Sequence, residues 1–165
     1  PVGDGAARYT SDAGWNTFAD YLRTNFDELM ALRDRGRNPV NAGIPIFMHG
    51  YAVPMPRNAG VSLGPIKAGP WLLPGLQLYA VPPGDLLAVS AHFIGRLRTV
   101  LAGIAADRAR YPNVHFFDST QVPLVQAQAG STGESGDWIN EIHLNKDGCR
   151  KVADAWAPAI EMVLA

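Results

Sequence analysis

Apolar residues recur at three- and four-residue spacing from Trp15 through Phe18, Leu22, Phe26, Leu29 and Met30, the one-sided stripe of a long amphipathic helix. Ahead of it, Thr10-Ser11-Asp12 offer short oxygen-bearing side chains that cap free amides at a helix start. Gly36 and Arg37-Asn38-Pro39 end it. The pattern then changes to a continuous apolar run, Ile44-Pro45-Ile46-Phe47-Met48, which predicts a strand buried on both faces and leaving at His49-Gly50-Tyr51. From Val53 to Gly84 the chain carries seven prolines and five glycines, so this insertion is expected to be ordered but irregular. Loops of that length are usually functional or disordered; Trp71, Leu72, Leu73, Leu76 and Leu78 can pin it to the body. A second helix starts with Asp85 as its cap and presents Leu86, Val89, Phe93, Leu97, Val100, Leu101 and Ile104. Tyr111-Pro112-Asn113 breaks it, and Val114-His115-Phe116-Phe117 reads as a second buried strand ending at Asp118. The glycine- and serine-rich run 126–136 reads as a mobile loop. A last helix follows, with Cys149, Val152, Ala153, Trp156, Ile160 and Val163 on its expected buried face and Pro158 expected to kink or restart it. Helices feeding continuous apolar strands predict a parallel α/β sheet. Two strands are fewer than an independent sheet normally needs.

Composition narrows the function classes. With 47% hydrophobic and 18% charged residues the chain is globular rather than disordered, and its 165 residues are read as a single α/β domain, 1–165, with 53–84 as an insertion. A net charge of -1 with no basic stripe argues against a nucleic-acid partner. No apolar run is read as approaching the roughly 20 residues of a membrane span. Cys149, the one cysteine, excludes an internal disulfide and leaves the compartment open. Pro1 is not an initiator methionine and Pro1-Val2-Gly3-Asp4-Gly5 resembles the middle of a loop, so the sequence is expected to begin inside a longer protein.

The chemistry concentrates in Asp137-Trp138-Ile139-Asn140-Glu141-Ile142-His143-Leu144-Asn145. A histidine just before a final helix suits a general base, provided a nucleophile meets one ring nitrogen and an acceptor fixes the other. Asn140, three residues earlier, and Asp137, six earlier, are the candidate orienting groups. The plain alternative is a histidine satisfied by a nearby backbone carbonyl. His49 stands at a strand's C-terminal end, where open α/β sheets place ligands, and with Tyr51 it is a candidate for the substrate pocket. Its alternative role is donation to a loop backbone. Asp118 fits a turn cap better than catalysis, and His115, inside a strand, reads as structural. A metal site from His143, Asp137, His115 and Asp118 lacks ligand spacing. Gly133-Glu134-Ser135-Gly136 lacks the strand and helix of a nucleophile elbow and reads as a flexible linker; Ser90 reads as a packing residue. Trp71, in the long insertion, is a candidate substrate-facing lid residue.

The block from Asp137 to Asn145, continued by Asp147-Gly148-Cys149-Arg150-Lys151-Val152-Ala153, resembles the last conserved block of the SGNH (GDSL-type) serine hydrolases. Ile46-Phe47-Met48-His49-Gly50-Tyr51 with Pro54 and Pro56, and Val114-His115-Phe116-Phe117-Asp118, resemble bacterial members of that family. The resemblance runs over most of the chain from Ser11 onward. It implies the C-terminal part of a three-layer α/β/α, flavodoxin-like fold, with His143 as the base of a serine esterase or lipase. It implies no metal or organic cofactor and a small-molecule or lipid ester as substrate. Two departures stand out. The family's aspartate three before the histidine aligns with Asn140, so Asn140 or Asp137 must hold the ring. The Gly-Asp-Ser nucleophile block and the oxyanion-hole blocks are absent, and Gly3-Asp4-Gly5 does not replace them. The chain alone is therefore expected to be inactive, its nucleophile lying upstream or on a separate chain. The other reading is a non-catalytic α/β binding or interaction domain of the same fold.

Overall fold

The computed structural model describes residues 5–165, without the side chain of Leu63; the Gly3-Asp4 part of the triplet discussed above lies outside the described residues. The elements in order are α1 (Asp12–Arg35), β1 (Ile46–His49), β2 (Val61–Leu63), β3 (Ile66–Ala68), α2 (Leu73–Leu78), α3 (Leu86–Ala106), β4 (Val114–Phe117) and α4 (Lys146–Leu164). β1 and β4 pair in parallel, with Ile46 opposite Val114 and His49 opposite Phe117. β2 and β3 form a small antiparallel hairpin inside the 53–84 insertion. That insertion also carries α2, so it is more regular than its prolines and glycines suggest.

α1 begins where its cap places it: the Ser11 hydroxyl accepts the Gly14 amide at 3.2 Å. Its buried line is Trp15, Ala19, Leu22, Phe26 and Met30, packed with Val100, Ile104 and Ala105 of α3 and with Ile46, Met48, Val114 and Phe116 of the strands. Phe18 and Leu29, expected on the buried face, are 43% and 42% exposed. The apolar stripe is wider than the contact, and those two fall on its outer flank. Arg33 continues the buried line one turn beyond Met30, although it is charged. Its guanidinium donates to the carbonyls of Ile44 (3.2 Å) and Pro112 (2.8 Å), tying the helix to the residues that lead into both strands, and it pairs with Asp34.

The second face of the strand pair is covered more thinly. Phe47 stacks on His115 at 5.4 Å, while Trp156 of α4 stacks on Phe117 at 5.8 Å and meets His49 edge-on at 5.0 Å. Of the expected buried face of α4, Val152 is buried; Trp156, Ile160 and Val163 are half-buried, and Cys149 and Ala153 are exposed. The helix runs through Pro158. Asp85 precedes α3 but does not cap it with its side chain, because its carboxylate takes Arg8 (2.7 Å) and the Tyr9 hydroxyl (2.9 Å). The stretch Pro83–Ala106 is long and apolar enough, by length and composition alone, to cross a bilayer. Here α3 packs on α1 and β4 through Val100, Ile104 and Ala105.

Among the described residues neither outer edge of the β1–β4 pair has a strand partner. The chain exposes 10052 Å². A compact monomer of this mass exposes about 8000 Å².

Candidate functional site

The block 137–145 is a closed loop at the C-terminal ends of the two parallel strands' layer, locked by its own backbone. The Asn145 amide donates to the Asp137 carbonyl at 2.9 Å and the Ile139 amide to the His143 carbonyl at 2.9 Å. Trp138, 1% exposed, bridges to Ser135 and Leu144 and anchors the loop in a small core with Ala52 and Ala127. Asn145 caps α4 by accepting the Gly148 amide at 2.9 Å. Gly148 must be glycine, since a Cβ there would lie 2.5 Å from the Asp137 carbonyl oxygen. The cap and this close approach together set where the loop meets the helix.

Inside the loop, Asn140 is 3% exposed, and its Oδ1 accepts the backbone amides of Ile142 (3.0 Å) and His143 (2.8 Å). The same oxygen lies 3.1 Å from His143 Nδ1. This fixes the chemistry of the ring. Backbone amides only donate, so the Asn140 atom they face is the oxygen, and that oxygen can only accept from Nδ1. A neutral His143 therefore carries its proton on Nδ1 and leaves the Nε2 lone pair free, the state a general base requires.

Asp137 does not share this task, which corrects the expectation that it might hold the imidazole. Its Oδ2 accepts the Val125 amide and the Lys151 ammonium, the latter at 2.6 Å. Burial pushes the Asp137 carboxyl up, but the Lys151 hydrogen bond, the Val125 amide and the Lys151 charge outweigh it and hold the carboxyl below its ordinary value. Asp137 ties the 125 region to α4 and supports the loop from beneath.

Two further buried charges, neither singled out by sequence reasoning, tie the long insertion to this loop. Glu141 has no exposed surface. Its Oε1 accepts the amides of Arg57 (3.1 Å) and Leu73 (2.8 Å), and its Oε2 those of Leu72 (2.7 Å) and Trp71. Arg57, also buried, donates to the carbonyls of Asn140 (2.7 Å) and Gly133 and to the Ser131 hydroxyl (3.0 Å). Burial pushes the Arg57 guanidinium down, against the opposing pull of Glu141. Run 126–136, expected to be mobile, is thus held by Arg57, and by Ser135, whose hydroxyl accepts the Gln128 amide at 3.0 Å. The available signal was slight: a glutamate set between Asn140 and Ile142 in a block rich in apolar residues.

His143 lines a cavity of about 410 Å³ with His49, Tyr51, Ser119, Trp138 and Trp156. The candidate pocket residues His49 and Tyr51 are therefore brought to the histidine. The Tyr51 hydroxyl donates to the Ile142 carbonyl, and burial pushes its phenol up. His49 Nδ1 donates to the Gly50 carbonyl at 2.7 Å, which is the backbone role foreseen as its alternative; the Ser119 hydroxyl is 3.3 Å away. Trp71 stands perpendicular to the His143 ring, centroids 5.4 Å apart. Asp118 caps the turn after β4 by accepting the Thr120 amide at 3.1 Å and pairs with Arg98 at 2.9 Å. His115 Nε2 lies 2.9 Å from Asn113 Oδ1. A larger groove of about 550 Å³, lined by Trp15, Phe18, Leu76, Tyr79 and Phe93, has no imidazole, thiol or carboxylate on its wall.

No serine in the described chain reaches His143 by a hydrogen bond. Ser11 caps α1, Ser90 donates to the Pro54 carbonyl at 2.7 Å, Ser119 faces His49, and Ser131 and Ser135 serve the 126–136 run. Among the described residues no group of three or more His, Cys, Asp or Glu side chains is placed to hold a metal ion. Comparison with protein-family models, with curated proteins and with solved structures gave no match.

Proposed function

We propose that this chain is the base-bearing part of a serine-dependent ester hydrolase with an SGNH-like three-layer α/β/α fold. The observation that carries the reading is the Asn140–His143 arrangement, which leaves Nε2 free beside a largely apolar cavity. In the proposed reaction a serine from a segment outside this sequence attacks the ester carbonyl carbon, and its hydroxyl proton passes to Nε2. Collapse of the tetrahedral intermediate breaks the bond to the alkoxy group, which leaves with that proton. Water then attacks the acyl-enzyme, gives a proton to Nε2, and the serine takes it back as the acid departs. Asn140 orients the ring but brings no negative charge to the imidazolium, so it stabilises that intermediate less than a carboxylate does. His49 and Tyr51 line the acyl or alcohol pocket, and Trp71 borders the histidine. The substrate is a small-molecule or lipid ester, and the mechanism calls for no metal or organic cofactor.

The open strand edges and the excess exposed surface support a partner segment here. Parallel sheets are normally larger than two strands and covered on both faces. About 2000 Å² of surplus surface on one chain exceeds the roughly 800 Å² per partner of a standard protein interface and is on the scale of a permanent one. A second reading, a non-catalytic α/β binding or interaction domain, is favoured by the finding that no serine among the described residues is hydrogen-bonded to His143.

One experiment separates the two. Protein isolated from its native source is treated with a fluorophosphonate probe, and its intact mass is measured. The hydrolase reading expects a mass above 17.7 kDa, or a co-purifying second chain. It also expects one labelled serine, with labelling lost in His143→Ala. An unlabelled protein of this mass supports the binding domain. The chain alone is expected to show no ester hydrolysis; turnover abolished at one of its own serines would overturn the reading.

A further inference from the structure

We propose that Glu141 is a positioning residue for His143 and acts through Trp71, making the long insertion a fixed wall beside the imidazole instead of a swinging lid. The first amides of a helix have no partner within it, and the residue before α2 is Leu72, whose side chain cannot accept them. Glu141 supplies the missing cap from the other end of the sequence. Its two oxygens take the consecutive amides of Trp71, Leu72 and Leu73 and that of Arg57. The Glu141 amide in turn donates to the Ala59 carbonyl at 2.8 Å. The start of α2 is therefore bolted to a residue two positions before His143.

Trp71 is the first of those three residues, so bolting its backbone sets its indole perpendicular to the imidazole at 5.4 Å. Four hydrogen bonds to a buried carboxylate hold this stretch of backbone. Charged hydrogen bonds of this kind are stronger than neutral ones and keep their geometry. A glutamine of the same shape cannot replace the carboxylate. Only one of its two terminal atoms accepts, and its amide group would face two backbone donors in either orientation.

The inference rests on the reading that the His143 ring is the working group, but its test does not use ester hydrolysis. Whole chain is treated with diethyl pyrocarbonate, and carbethoxylation of His49, His92, His115 and His143 is followed separately by peptide mass spectrometry. Wild type, Trp71→Ala, Glu141→Gln and the double variant are compared. Removing the indole by Trp71→Ala leaves the carboxylate in place and should speed His143 modification. Glu141→Gln should speed it by up to that same factor, because two hydrogen bonds to a charged acceptor are lost and the indole is freed. The double variant should be no faster than either single one, because both act through the same ring. His49 and His115 should keep their wild-type rates. An unchanged His143 rate in Glu141→Gln overturns the proposal, as do additive effects in the double variant. Equal acceleration of all four histidines also overturns it, because Glu141 would then be a general stabiliser. Failure of fluorophosphonate labelling would sink the hydrolase reading and leave this relation between Glu141, Trp71 and His143 standing.

Discussion

The two ends of the β1–β4 pair are held by different physics. At the end where the strands begin, one buried cation, Arg33, donates to the backbone carbonyls of Ile44 and Pro112 and pairs with Asp34, beside the apolar packing between α1, α3 and the sheet that makes up the core there. At the end where they leave, Arg57, Glu141 and Asp137 hold the loops almost entirely through backbone amides and carbonyls. Apolar packing is tolerant and non-directional; hydrogen bonds to a buried charge are directional and costly to leave unmade. The first end builds a scaffold. The second sets one imidazole in one tautomer, which packing alone cannot do.

If that contrast holds, the largest loss of stability comes from the exit end. Glu141→Ala would strand four backbone donors, at about 1–3 kcal/mol each, and is expected to cost about 4 kcal/mol or more in urea unfolding. That is at or above the upper part of the about 2–5 kcal/mol range for truncating a core residue such as Ile104 to alanine. A cost near 1 kcal/mol would show that water replaces the carboxylate and would break the contrast.

Next come the two arginines, each exchanged for methionine to keep the bulk. Arg57→Met and Arg33→Met should cost similar amounts, about 2–3 kcal/mol for hydrogen bonds to a charged donor. Their local signatures should differ. Amide hydrogen exchange is expected to rise in 126–143 for Arg57→Met and at the strand starts for Arg33→Met. Both variants loosening the same amides would mean that the ends are not separate units.

The Asp137–Lys151 pair sharpens the contrast through pH. The folded carboxyl lies below its ordinary value of about 3.9, so its contribution is complete above about pH 4 and is lost as pH falls through the folded value. Lys151→Met removes the hydrogen bond and charge that outweigh burial. Asp137's share of the acid decline in stability should then shrink or reverse, leaving a shallower acid limb than in the wild type, measured by urea unfolding across pH 2–6 (roughly the carboxylate range). An unchanged acid limb would remove Asp137 from the account. The smallest effect is expected at the scaffold's outer flank, where Leu29→Gln should change stability by no more than about 0.5 kcal/mol.

This division also explains what could be read from the residues alone. Periodicity located α1, α3, α4 and both parallel strands because each buries an apolar stripe, and it misjudged Phe18 and Leu29 because a stripe does not say how wide its contact is. The Asn140–His143 spacing was legible, since three residues can close one turn. The choice between Asn140 and Asp137 was not. It depends on Lys151, which lies nearly two helix turns beyond the Asn145 cap and draws the Asp137 carboxylate away. Glu141 and Arg57 carried no periodic signal at all, because their partners are backbone groups 68 to 84 residues away for the glutamate and up to 83 for the arginine. Run 126–136 looked mobile from its composition and is held by one of those unforeseen side chains. Asp85 looked like a helix cap and instead serves Arg8 and Tyr9, whose position no local pattern reports.

The tautomer of His143 tests the central claim most directly. Nitrogen-detected NMR of the neutral protein, with ¹⁵N-labelled histidine, distinguishes the two ring nitrogens of each imidazole. The account predicts His143 with its proton on Nδ1 and a bare Nε2, and predicts that Asn140→Ala removes that preference. A His143 protonated on Nε2 in the wild type would contradict the account, because the nitrogen required to act as base would already be occupied.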